Sequence, residues 1–179
     1  MSRVPAGRVW KSGEPEGRII AAEFDKVIIV SCYTPNSKSN LERLASRIGT
    51  WETMFRAFIA TLQAIKPVVV MGDLNVVPSM QDIYKARPGR LPGCTIEEQG
   101  AFQTLLTERG LVDTFRALHP KTRAYTYFSN FADSRAKNNG WRLDFALVSN
   151  GLAERVVAST ILSEYYGSDH VPIMIVLDV

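Results

Sequence analysis

Apolar positions along the chain follow two rhythms. The runs Ile19-Ile20-Ala21-Ala22-Glu23-Phe24 and Val27-Ile28-Ile29-Val30-Ser31-Cys32-Tyr33 are β-like and only Asp25-Lys26 parts them, which predicts an antiparallel hairpin. Trp51, Phe55, Phe58, Ile59 and Leu62 recur at helical spacing and predict one amphipathic helix, closed by Lys66-Pro67. Val68-Val69-Val70-Met71 is a strand-like run, and a polar loop follows from Pro78 to Gly93. Thr95-Ile96-Glu97-Glu98 has the form of a capping box and opens a helix carrying Phe102, Leu105 and Leu106, which stops near Gly110. Strands are predicted over Tyr125–Phe128, Leu143–Val148, Val156–Leu162 and Pro172–Val179, while residues 1–17, polar and rich in Gly and Pro, are expected to be loose. Strands and helices alternate without strict βαβ order. This predicts an α/β layered sandwich with a mixed sheet rather than a Rossmann unit.

The length of 179 residues suits one domain, and repeats and linkers are absent. No run approaches the roughly 18 to 20 apolar residues of a membrane span, and Met1–Arg8 lacks the apolar stretch of a secretory signal. A net charge of +3 is compatible with a nucleic-acid partner without demanding one. Basic residues gather in two polar stretches, Lys85, Arg87 and Arg90 in one, and Lys121, Arg123, Arg135, Lys137 and Arg142 in the other; solvated loop charge and a nucleic-acid contact account for them equally well. The two cysteines, Cys32 at a strand end and Cys94 in a loop, make no metal-type cluster and are expected to be reduced thiols of an intracellular protein.

Chemistry-bearing residues sit where strands empty into loops. Asp73 and Asn75 flank Leu74 after the Val68–Met71 strand; in an extended segment both heads reach one phosphate or one metal-bound water, whereas an Asx-type turn would use them on the backbone. Asp144 lies inside an apolar run and needs a partner, and His170 is the best one, since an Asp–His pair satisfies the carboxylate and orients the imidazole. The other histidine, His119, stands before Pro120, where capping or packing is the simpler role. Asp169 is a hard oxygen ligand suited to Mg²⁺ or a similar ion. Tyr33 and Asn36, at the outlet of the hairpin, can donate hydrogen bonds to a phosphate. Trp141 beside Arg142 offers a stacking plane and a cation for nucleic acid, or else a packed indole with a solvated guanidinium.

Tyr33-x-Pro35-Asn36, Gly72-Asp73-Leu74-Asn75, Trp141-Arg142-Leu143-Asp144 and Gly167-Ser168-Asp169-His170 occur in an order that resembles the endonuclease/exonuclease/phosphatase superfamily. Within it, Arg135-x-Lys137-Asn138-x-Gly140-Trp141-Arg142-Leu143-Asp144 is similar to the exonuclease III-type AP endonucleases; Glu16-Gly17-Arg18 and the Thr95-x-x-Glu98 helix start also fit, and the likeness runs from about Glu14 to Val179. The resemblance implies a DNase I-like four-layer α/β sandwich, present here as an N-terminally truncated version comprising the C-terminal portion of the domain. It implies metal-dependent hydrolysis 5′ to abasic sites in duplex DNA, with 3′-end trimming as a further activity and Mg²⁺ or Mn²⁺ as cofactor. By motif position, Tyr33, Asp73, Asn75, Asp144 and His170 would be catalytic, and Asn36, Arg135, Lys137, Trp141 and Arg142 would bind substrate. Asp169, with Asp73 and Asn75, would hold the metal weakly, because the family's Leu-Gln-Glu metal motif is not found before Tyr33. A monomer is expected unless another chain completes the sheet, with no membrane association. A half-sandwich is expected to expose apolar sheet surface. Other nucleases or phosphoesterases of the superfamily, and a non-catalytic fragment binding DNA or a partner, are the alternatives.

Overall fold

The structure, a computed structural model, describes residues 8–11, 16–85 and 90–179; Glu14 and Arg87 of the sequence reading lie outside them. Its main element is a six-stranded mixed sheet in the order β1 (Arg8–Lys11), β2 (Ile19–Glu23), β3 (Ile28–Tyr33), β4 (Val68–Asp73), β6 (Asp144–Ser149), β5 (Leu111–Asp113). The predicted hairpin forms as β2 (Ile19–Glu23) and β3 (Ile28–Tyr33), antiparallel. β1 (Arg8–Lys11) adds an outer strand within the segment expected to be loose, held by backbone pairing with β2. β4 (Val68–Asp73) runs parallel to β3, and β6 (Asp144–Ser149) runs antiparallel to β4. β5 (Leu111–Asp113) is too short for periodicity to reveal.

One face of this sheet carries the main core. Ile28, Val30 and Cys32 of β3 alternate inward and join Val68, Val70, Phe145 and Leu147. Against them pack α2 (Glu52–Gln63), through Phe55, Ile59 and Leu62, and α3 (Ile96–Arg109), through Phe102 and Leu105. A single turn, α1 (Leu44–Ser46), leads into α2 through a π-helical turn, Arg47–Trp51. α3 starts on a complete Thr95/Glu98 capping box and ends on Gly110 at φ 54°, a left-handed cap that suits glycine.

On the other face, β7 (Val156–Ile161) and β8 (Ile173–Leu177) form a two-stranded sheet. Ile175 and Leu177 cover Val69 and Val148 of the main sheet. Further along, this face is open: Ile20 is 55% exposed and Ile29 36%. Tyr125–Phe128 is not a strand; Tyr127 alone makes isolated bridges, to Trp141 and His170. α4 (Thr114–Leu118) ends at His119, whose ring packs on Phe115, so this histidine has a structural place.

Candidate functional site

Three neighbouring strands place Tyr33, Asp73 and Asp144 in one row. In the β3–β4 pairing Tyr33 lies opposite Asp73, and in the β4–β6 pairing Asp73 lies opposite Asp144. Opposed residues share a face. The row opens into a pocket of about 660 Å³, whose walls include Asn36, Asn75, Trp141, Asp169 and His170.

Gly72 makes the close approach of β4 to β3 possible. Its φ is +140°, and an added Cβ would stand 1.9 Å from the Cys32 carbonyl oxygen. Past it the chain leaves the extended conformation, and Asn75 takes φ 47°. The Asp73 carboxylate accepts from the Asn75 backbone N–H at 2.8 Å and from Asn75 Nδ2 at 3.0 Å. This is an Asx-type turn, so Asp73 and Asn75 meet because the backbone turns, not because side chains alternate along a strand. Asn75 Nδ2 also donates to the Thr34 carbonyl, while its Oδ1 accepts from Asn36 Nδ2 at 2.9 Å. The two predicted phosphate-binding amides thus hold each other.

Beneath them lies a residue that sequence reasoning missed. Arg47 is 2% exposed and donates to the Pro35 and Leu74 carbonyls, each at 2.8 Å, clamping both loops. Its counter-charge Glu98 is fully buried and also accepts from Ser37 and Thr95. The α3 capping box therefore also anchors the pocket floor.

The inferred Asp144–His170 pair is present, with Nδ1 of His170 2.8 Å from the Asp144 carboxylate. Thr126 sets the pair up: its Oγ1 accepts the backbone N–H groups of Leu143 and Asp144, each at 2.9 Å. Its carbonyl accepts from Val171, next to His170. Tyr127 exchanges backbone hydrogen bonds with Trp141 and lays its ring 5.1 Å from that of His170. The sequence pattern predicts Tyr127 within a strand; the pairing with Trp141 that makes it a wall of the pocket is long-range and leaves no local signal.

The surroundings raise one acid and the base of this site. Burial, then the nearby Asp144 charge, pushes the Asp73 carboxyl up to about 6 against the opposing Asn75 N–H. The hydrogen bond to Asp144 raises the His170 imidazole above its usual range, outweighing burial, with Asp144, Asp73 and Asp169 charges adding. Burial pushes the Cys32 thiol far up, so it is inert.

Arg142, expected to bind substrate, is buried and paired with acids instead of facing the pocket. It is 1% exposed, with Nε 2.7 Å from Asp82 and Nη2 2.8 Å from Asp113. Asp82, itself 1% exposed, also takes Ser79 and Arg116. The reason is strand geometry. Trp141 lines the pocket, and its neighbour Arg142 is buried among acids and the Phe145 ring, 4.5 Å from its guanidinium. Arg135 spends its guanidinium on the carbonyls of Ser163 and Tyr165, and Lys137 donates to the Ala132 carbonyl. Neither lines the main pocket. Of the remaining basic loop residues, Arg90 pairs with Glu97 and Arg123 donates to the Ile83 and Tyr84 carbonyls.

For a hard divalent ion the residues offer two pocket carboxylates, Asp73 and Asp169, and the Asn75 amide. Among the described residues no three His, Cys, Asp or Glu side chains form a metal-holding group. Asp73 and Asn75 are moreover engaged with each other. This is part of a Mg²⁺ donor set and not a whole one. No helix among the described residues is long and apolar enough to cross a membrane.

The profile described as endonuclease/exonuclease/phosphatase family matches residues 4–170. The chain is 41% identical over 168 residues to the DNA repair nuclease APEX1 of Danio rerio, covering 93% of this chain and 54% of that protein. It is 37% identical over 168 residues to an exodeoxyribonuclease of Bacillus subtilis, covering 93% of this chain and 66% of that one. Its fold superimposes on the AP endonuclease LMAP of Leishmania major with a TM-score of 0.84 at 29% identity, covering 93% of this chain and 56% of that chain. The chain thus spans between about half and two thirds of these relatives.

Proposed function

Since the chain belongs to the endonuclease/exonuclease/phosphatase family, we propose that its pocket hydrolyses a phosphodiester of duplex DNA, 5′ to an abasic nucleotide. The observation that carries this reading is the row Tyr33–Asp73–Asp144, with His170 bonded to Asp144, opening into a pocket walled by Trp141. Asp144 occupies Nδ1 of His170, which leaves Nε2 as the nitrogen for a phosphate oxygen. The hydrogen bond to Asp144 favours the charged form of the ring, and an imidazolium would stabilise charge building up on the phosphate. Asp73, poised near 6, exchanges a proton close to neutrality and either orients and deprotonates the attacking water or protonates the leaving oxygen. Asn36, Asn75 and Tyr33 hold the scissile phosphate. Trp141, Tyr127 and Leu143 give an apolar slot for a sugar without its base, which has little stacking to lose on extrusion. Mg²⁺ or Mn²⁺, held weakly by Asp169 and Asp73, would neutralise phosphate charge. Trimming of 3′ ends would use the same groups.

The test is cleavage of abasic against intact duplex. Wild type cuts the abasic strand, and His170→Asn and Asp144→Asn lose the cut while retaining binding. Equal cutting of both duplexes would point instead to a nonspecific nuclease or phosphoesterase. The lack of a three-member metal-holding group among the described residues favours one second reading, in which the chain binds abasic DNA without cutting it. Binding without cleavage at any Mg²⁺ or Mn²⁺ concentration would establish that alternative.

A further inference from the structure

A second groove, of about 370 Å³, adjoins the pocket and shares Ser129, Ser134 and Asp169 with it. That volume lies within the range of small-molecule sites. Its edge is the ring of Tyr166, which is 80% exposed. The Arg135 guanidinium lies over this ring, 4.0 Å from its centroid. Arg135 is itself fixed, because it donates to the carbonyls of Ser163 and Tyr165. One face of the tyrosine is therefore occupied by a cation and the ring is otherwise open to solvent. An exposed aromatic ring covered on one face by a fixed cation offers a flat partner a stacking platform. The groove beside it also contains Asp133 and Asp169. Asp133 disfavours phosphate there, and Arg135, already bonded to backbone carbonyls, does not attract it, so the part of a nucleotide suited to this groove is its neutral base.

We propose that the Arg135–Tyr166 stack is a base-binding ledge, taking one unpaired nucleobase next to the nucleotide held in the pocket. The inference rests on the nucleic-acid reading of that pocket and adds a preference for frayed or overhanging ends. A strand with a phosphodiester at His170 and a neighbouring nucleotide directed toward Ser129 and Asp169 reaches the ledge through the shared wall. The pocket selects for a missing base, whereas the ledge selects for a base that is present and unpaired.

The experiment measures binding of the intact 179-residue chain to two DNA duplexes, one fully paired and one carrying a single-nucleotide overhang, by fluorescence anisotropy. Wild type binds the overhang duplex more tightly. Tyr166→Ala weakens that binding by roughly 5- to 150-fold, the range for loss of one base–aromatic stack, and leaves the paired duplex unchanged. Tyr166→Phe retains the preference, because the ring and not the hydroxyl does the stacking. Trp141→Ala, measured on abasic duplex, separates the two claims. If Trp141→Ala loses abasic preference while Tyr166→Ala binds the overhang like wild type, the ledge is refuted and the pocket reading stands. If wild type binds neither overhang nor abasic duplex above an intact one, both fall.

Discussion

Replacing Arg142 by Met should destabilise the fold and leave the salt dependence of DNA binding intact. Arg142 is 1% exposed and bonds Asp82 at 2.7 Å and Asp113 at 2.8 Å. Removing one partner of a buried ion pair typically costs about 3 to 5 kcal/mol, because the remaining charge is left without compensation. Here Asp82 keeps Ser79 and Arg116, and Asp113 keeps the Arg116 backbone N–H at the start of α4. The loss should therefore lie at the lower end, about 3 kcal/mol, or roughly 6 to 12 °C in Tm for a chain of this size. Acid gives an internal check. Burial alone would raise the Asp82 carboxyl, but Arg142, with Ser79 and Arg116, holds it below the usual range. A lowered carboxylate contributes stability above its unfolded value near 3.9 and loses it as pH falls through the folded value. The gap between wild type and Arg142→Met should thus be full at neutral pH and narrow below about pH 4. Urea unfolding at a series of pH values measures it. A Tm within about 2 °C of wild type, together with a salt slope reduced by about one phosphate contact, would mean that Arg142 neutralises DNA phosphate rather than Asp82 and Asp113.

Arg47→Met should cost about 3 to 5 kcal/mol, by leaving Glu98 buried without its cation, and should speed amide hydrogen exchange at Asn36 and Asn75; unchanged exchange there would dissolve the clamp. Thr126→Val removes the acceptor for two buried N–H groups and should cost roughly 1 to 3 kcal/mol each, with Thr126→Ser recovering most of it; equal Tm values for Val and Ser would contradict this. Gly72→Ala should fail to give soluble folded protein, or unfold far below wild type, because its Cβ has no space beside Cys32; a near-native melt would refute the close approach. Isothermal titration should find weak Mg²⁺ binding, and tight stoichiometric binding would require a ligand beyond Asp73 and Asp169.

How far the sequence reveals all this varies with the range of the interaction. The β2–β3 hairpin, α3 with its capping box, and the pairing of Asp144 with His170 follow from local pattern or from the cost of burying a lone carboxylate. β5 and α4 are too short to set up a period. Arg142 reads as a surface cation because its acidic partners, Asp82 and Asp113, stand 60 and 29 residues away. Arg47 is hidden for the same reason, since one of the carbonyls it holds lies 27 residues distant. Asp73 and Asn75 show a subtler limit. Both line the pocket, but strand alternation was the wrong reason, because Asn75 had already turned.

One residue, Tyr127, is joined through its backbone to Trp141 and stands ring to ring with His170. The wall that would choose the substrate and the imidazole that would steady its phosphate are therefore inherited as a single piece. A lineage drifting toward a bulkier or smaller lesion could not reshape the slot at Trp141 without also retuning its chemistry. Changes of taste should arrive in such a protein as paired substitutions across this short segment, or from the outer loops, where nothing is shared.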